Sequence, residues 1–173
     1  PRFTDNLLTN AVKTNPTLEH IRQTIDASRI IVSTTASLAT HTAIFSIKHF
    51  ELAIIDEASQ ILEPNIIGLL AAHNEGEQVI DKFILIGDHK QLPAVVQQDN
   101  NESAADSPLL EEIHLPNCAN SLFERLILTE RAAGRTDFVG TLRKQGRMHP
   151  DIASFPNTYF YEREQLECVP LAH

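Results

Sequence analysis

Apolar positions along the chain fall into two rhythms. Leu18, Ile21 and Ile25 recur at helical spacing and predict a helix that ends near Ser28. The next run, Arg29-Ile30-Ile31-Val32-Ser33, is short, β-branched and bounded by polar residues, which predicts a buried strand. Glu51 to Ile55 predicts a second buried strand ending on Asp56-Glu57, and Phe83 to Ile86 a third ending on Gly87-Asp88. Between them, Pro64 suits the first turn of a helix that continues through Ile66, Ile67, Leu69 and Leu70. Ala36 to Ile47 fits neither rhythm cleanly.

The later half is less regular. Gln97 to Ser107 is acidic and rich in Asn, Asp and Ser, and reads as a surface loop. Ser121-Leu122-Phe123-Glu124 has the spacing of a capping box opening a short helix. Thr129 to Asp137 reads as a basic, polar connection and Phe138 to Leu142 as a further strand. His149-Pro150 opens another helix, which Pro156 is expected to break.

Continuous apolar strands separated by helical segments predict an α/β fold. Its sheet is mostly parallel with helices on both faces, a three-layer arrangement. In such sheets chemistry collects at the carboxyl ends of the strands. All three strand ends here are polar: Ser33-Thr34-Thr35, Asp56-Glu57 and Gly87-Asp88.

Composition narrows the class. The chain has 173 residues, 42% apolar and 21% charged, which is enough to build a core and argues against general disorder. Its longest apolar runs fall far short of the roughly 20 residues a membrane-spanning helix needs. No secretory signal pattern opens the sequence, so an intracellular setting, cytoplasmic or nuclear, is expected, with no membrane partner. Pro1 stands where an initiator Met would, which fits trimming or processing of a longer chain. Cys118 and Cys168 are too few for a disulfide framework or a thiolate metal site. The eight His form no metal-binding spacing.

The net charge of −9 is uneven: residues 51–112 hold 13 acidic side chains against two Lys, whereas residues 113–150 hold six basic against three acidic. Acidity of the middle third argues against a basic DNA-coating protein. It leaves room for a binding strip of backbone groups and a few cations.

Three blocks carry the candidate chemistry. Asp56-Glu57 directly follows an apolar strand, where one carboxylate can hold a hydrated Mg²⁺ and the other can activate a water. Taken alone, the pair reads first as a solvated strand end. Gly87-Asp88-His89-Lys90-Gln91-Leu92-Pro93 supplies a second polar strand end, and Gln91 a neutral donor and acceptor. Ser121-Leu122-Phe123-Glu124-Arg125-Leu126 precedes Leu142-Arg143-Lys144-Gln145-Gly146-Arg147-Met148-His149-Pro150, with Ile152, Phe155-Pro156 and Phe160-Tyr161 beyond.

Together these blocks resemble motifs II, III and IV of the superfamily 1 helicases, in the branch of the nonsense-mediated-decay RNA helicase and senataxin. The resemblance runs from about Ser28 to Tyr161. It implies a partial RecA-like P-loop NTPase domain that uses ATP and Mg²⁺. By that resemblance Asp56 holds the magnesium through water, Glu57 is the general base, and Gln91 contacts the γ-phosphate and couples it to the nucleic-acid site. Arg147 is the arginine finger. Ser33, Thr34 and Thr35 resemble motif Ic, which touches the nucleic-acid strand, although local Ser/Thr hydrogen bonds explain such residues equally well. More weakly, Lys90 and His89 would also face that strand. The implied partners are single-stranded DNA or RNA and the remainder of a parent helicase. Residues 1–142 would form the late part of the first motor domain, and residues 143–173 the hinge and start of the second.

Two departures matter. Gly146 stands where the family carries a Tyr that stacks on adenine. No G-x-x-x-x-G-K-[ST] loop occurs in the sequence, nor do motifs V and VI, so the 173 residues alone are expected to lack ATPase activity. A degenerate helicase-like binding or scaffolding module is the alternative. A metal-dependent nuclease built on Asp56, Glu57 and Asp88 ranks last.

Overall fold

The structure, a computed structural model, describes residues 17–170. The chain divides into two compact units, residues 1–125 and 126–173.

In the first unit, helix α1 (Leu18–Ala27) forms as expected, with the Thr17 hydroxyl accepting the His20 N–H at 3.3 Å. At its other end Lys48 Nζ donates to the Asp26 carbonyl at 2.6 Å, placing a cation at the helix C-terminus. The ambiguous stretch resolves into α2 (Thr35–Thr40) and a 3₁₀ turn (Thr42–Ser46). Strands β1 (Ala53–Ile55) and β4 (Phe83–Leu85) pair in parallel, Ala53 opposite Phe83 and Ile55 opposite Leu85. The pairing begins earlier at the Phe50–Ile80 bridge. The crossover between them holds α3 (Glu63–Leu70) and a hairpin of β2 (His73–Asn74) with β3 (Glu77–Gln78). Glu75 and Gly76 turn that hairpin, both with positive φ.

Ile55, Ala58, Ile66 and Leu122 form the main core, flanked by Leu69, Phe83, Leu85 and Phe123. Burial of an Ile such as Ile66, 1% exposed, contributes about 1.5–3 kcal/mol. Phe45, Val79 and Ile80 form a second cluster, with Phe50 meeting Phe45 edge to face.

Two expectations for this unit are corrected. Arg29 to Ser33 is not a strand: Ile30 and Val32 are exposed, and the run has no ladder partner among the described residues. β-branched residues favour extended backbone, but only pairing makes a strand. Gln97 to Ser107 is not all loop, because Asp99 and Glu102 form a full capping box on the short helix α4 (Asn100–Ser103). Only one face of the β1–β4 pair is covered in the described residues. Ile54, Ile84 and Ile86 alternate onto the other face and stay exposed. Helix α5 (Pro108–Glu112) follows.

Helix α6 (Leu122–Ala132) runs past the expected end, taking in the first residues of the stretch read as a connection. The Ser121 hydroxyl accepts the Glu124 N–H at 3.1 Å, which bears out the capping contact. An exposed fork from Arg135 to Glu130, with Nε to Oε2 at 2.6 Å, lies just beyond α6. That hydrogen bond holds the Glu130 carboxyl below its ordinary range and raises the Arg135 guanidinium.

In the second unit β5 (Lys144–Gln145) pairs in parallel with β6 (Glu167–Cys168). Phe138 to Leu142 is not a strand, and Phe138 and Leu142 are both strongly exposed. Helix α7 (Pro150–Tyr159) carries through Pro156 without ending there. Proline removes only the bond to the Ile152 carbonyl, and Ile152 is exposed, so water can satisfy that group.

Candidate functional site

The first unit brings two polar strand ends together. Ile86 N–H donates to the Ile55 carbonyl and Ala58 N–H to the Ile86 carbonyl, each at 2.8 Å, so the exits of β1 and β4 stay side by side. Asp56 leaves β1 exposed, and its Oδ1 accepts the Glu57 N–H at 3.0 Å. Glu57 adopts the left-handed region at φ 53 and ψ 35. For a residue with a Cβ that conformation costs about 1–3 kcal/mol and persists only where the surroundings enforce it. Here a 3₁₀ turn (Ala58–Gln60) enforces it, with Gln60 N–H donating to the Glu57 carbonyl at 2.9 Å.

Ser59 staples that turn to the second strand end. Its side chain is buried, and its Oγ accepts the Asp88 N–H at 3.1 Å. Gly87 makes the approach possible, since a Cβ there would lie 2.8 Å from Ser59 N and 3.0 Å from Ser59 Oγ. Gly87→Ala is therefore expected to destabilise the chain by about 1–3 kcal/mol through overpacking against backbone. A urea melt of both forms measures it; equal midpoints would show that the turn yields freely.

Beyond Gly87, Asp88 to Gln91 forms a turn closed by Gln91 N–H to the Asp88 carbonyl at 3.2 Å. Asp88 Oδ1 accepts the Lys90 N–H at 3.0 Å, and Asp88 Oδ2 accepts from Gln91 Nε2 at 2.9 Å. Lys90 is half-buried, and the His89 ring lies 6.4 Å from that of Phe123.

Below this edge, Glu63 at the first turn of α3 is buried and takes a two-pronged ion pair from Arg125. Arg125 Nε reaches Oε2 at 2.8 Å, and the second prong joins Nη2 to Oε1. Arg125 Nη1 also donates to the Ile113 carbonyl at 2.7 Å. Fork geometry of this kind fixes orientation as well as charge. It ties α3, which follows Asp56-Glu57, to α6.

Ser33, Thr34 and Thr35 lie at the entry to α2, which packs against α3. The Thr34 hydroxyl accepts the Ser37 N–H at 3.1 Å as the helix cap, and Ser33 Oγ donates to the Thr34 carbonyl at 3.2 Å. Local hydrogen bonding thus accounts for both hydroxyl contacts.

The second unit carries Arg147 on a three-residue bend between β5 and α7. Its side chain is exposed, with no hydrogen bond or ion pair to a described residue. His149 Nδ1 accepts the Asp151 N–H at 3.4 Å and caps α7. Asn157 on α7 accepts the Leu166 N–H at 2.7 Å and donates to the Leu166 carbonyl at 2.9 Å, which holds the return to β6.

Each predicted residue thus has a place. Asp56, Glu57, Gln91 and Lys90 share the strand-end edge of the first unit, Ser33 to Thr35 open α2, and Arg147 sits in the second unit. Ser59, the Glu63–Arg125 pair and Asn157 were given no role by the sequence, because long-range partners choose them. Among the described residues no three His, Cys, Asp or Glu side chains group as a metal site. No helix among the described residues is long and apolar enough to cross a membrane.

A family profile described as an AAA domain matches residues 7–99, and a second, also described as an AAA domain, matches residues 118–172. Over 141 residues the chain is 36% identical to the DNA replication ATP-dependent helicase/nuclease DNA2 of Homo sapiens, covering 82% of this chain and 11% of that protein. It is 35% identical over 150 residues to the probable helicase MAGATAMA 3 of Arabidopsis thaliana, covering 86% and 15%. It is 32% identical over 125 residues to the DNA polymerase alpha-associated DNA helicase A of Saccharomyces cerevisiae, covering 72% and 16%. The chain thus spans 11–16% of the length of these relatives. The two AAA-domain matches and the helicase relatives agree, and the chain belongs to the superfamily 1 helicases, with the RecA-like α/β character of AAA-type P-loop domains.

Proposed function

We propose that this chain is the central segment of an ATP-dependent helicase that moves along single-stranded nucleic acid. It would carry the hydrolysis, coupling and arginine-finger motifs II, III and IV. Residues 1–142 belong to the first motor domain, whose sheet is completed to three layers in the parent. Residues 143–173 begin the second. The observation that carries this reading is the stapled pair of strand ends, which gathers Asp56, Glu57 and Gln91 on one edge.

The donor set at that edge fits a magnesium nucleotide. Asp56 is exposed with one oxygen uncommitted, which suits holding a cation through its water shell. When bound, magnesium neutralises phosphate charge. Glu57, turned out by its left-handed backbone, holds the position of a base that takes the proton of an attacking water. Gln91 Nε2 donates one N–H to Asp88, which orients the carboxamide and leaves the second N–H for a phosphate oxygen. Arg147 projects a permanent cation from a braced bend, as a finger for transition-state charge requires. Ser33, Thr35 and Lys90 are proposed to line the nucleic-acid strand, with Thr34 contributing through the helix entry. DNA is the first polymer to test, since two of the three relatives carry it in their names. The protein would work inside the cell, in cytoplasm or nucleus.

Gly146, in place of an adenine-stacking ring, favours the second reading, a binding module that does not turn over ATP. The purified 173 residues are expected to show negligible magnesium-dependent ATP turnover, measured as phosphate release with and without single-stranded DNA. Robust turnover by this chain would contradict the fragment reading.

A further inference from the structure

We propose that Gln145 is the positioning residue for Arg147, setting the shape of the bend that presents the guanidinium. The inference rests on the arginine-finger reading of Arg147 given above. One carboxamide holds the whole bend. Gln145 Oε1 accepts the N–H of Arg147 at 2.9 Å and of Met148 at 2.7 Å. Its Nε2 donates to the Met148 carbonyl at 3.0 Å and reaches Cys168 Sγ at 2.8 Å.

The side chain is itself anchored. The β5–β6 register places Gln145 opposite Cys168, and the Gln145 carbonyl accepts the Val169 N–H at 2.9 Å. On the far side the bend runs straight into the His149 cap of α7. Between these fixed points lies Gly146, the residue least able to restrict its own backbone. With no ring at 146 to pack the bend, the carboxamide supplies the constraint. An arginine finger needs that constraint, because a misplacement of about 1 Å can cost 10²-fold in rate. Methionine keeps the volume of Gln145 and loses all four contacts, whereas glutamate keeps both acceptor contacts.

The test is steady-state ATPase of the complete polypeptide with single-stranded DNA, read as kcat and KM separately. Gln145→Met is expected to lower kcat about tenfold while KM for ATP moves less than about threefold. Gln145→Glu should run several-fold faster than Gln145→Met. In an Arg147→Ala background, Gln145→Met should cost no more than about twofold further, since the two residues act as one unit. Parental kcat in Gln145→Met, additive losses, or a Gln145→Glu no faster than Gln145→Met would each overturn the positioning role. If Arg147→Ala alone leaves kcat unchanged, the finger reading itself fails. A slow Arg147→Ala beside an unimpaired Gln145→Met removes only the positioning. Should Gln145→Met not fold, Cys168→Ala removes the thiol contact alone. A loss that vanishes in the Arg147→Ala background supports the inference, and a persistent loss, or none, overturns it.

Discussion

Glu57→Gln in the complete polypeptide is expected to keep ATP binding and to cut turnover by about 10²–10⁴-fold, the contribution of a positioned general base. The substitution is close to isosteric. Gln tolerates the left-handed backbone at φ 53 about as well as Glu does, so the turn and its bond from Gln60 N–H should survive. The Ser59 staple involves neither side chain and should survive too. What changes is the capacity to take a proton. Nucleotide binding read by fluorescence titration, beside phosphate release, separates the two effects. Unchanged turnover would remove Glu57 from the base role, and a parallel loss of binding would mean that the turn itself had failed.

Arg147→Ala is expected to lower turnover by about 10³-fold and ATP affinity far less, as for fingers that act mainly on transition-state charge. The Arg147 side chain makes no hydrogen bond or ion pair to a described residue, so its removal should cost the second unit little stability. A thermal melt checks that point. Loss of affinity with kcat intact would make Arg147 a ground-state anchor instead of a finger. Lysine is not expected to rescue it, since an ammonium lacks the planar fork.

Particular residues show which parts of the molecule are legible in the sequence. Ile54, Ile55, Ile84 and Leu85 announced β1 and β4, because apolar β-branched runs ending on polar residues have few other solutions. Ile30 and Val32 have the same character and failed as a strand, since a strand needs a neighbour and composition cannot supply one. Phe138 and Leu142 failed in the same way. Pro156 was expected to break α7, but its cost is one helix bond to the carbonyl of an exposed residue, Ile152, and that depends on burial the sequence does not show. The Asp99–Glu102 capping box was legible and was missed inside an acidic stretch.

The site divides similarly. Asp56, Glu57, Gln91 and Arg147 are candidates that the sequence offers through ordered motifs at sensible spacing. The staple made by Ser59 was not legible, because its partner at Asp88 lies 29 residues away. Glu63 and Arg125, 62 residues apart, were hidden for the same reason. The left-handed backbone of Glu57 was also invisible, since Glu is an ordinary choice at a strand end and an uncommon one at positive φ.

The central claim is that these residues belong to a working motor and not to a silent binding module. Magnesium-dependent ATP turnover by the complete polypeptide, with and without single-stranded DNA or RNA, tests it most directly. The account predicts phosphate release that needs magnesium and rises several-fold on adding one of the two polymers. Nucleotide or polymer binding with no turnover under any of these conditions would contradict it and leave the binding module in its place.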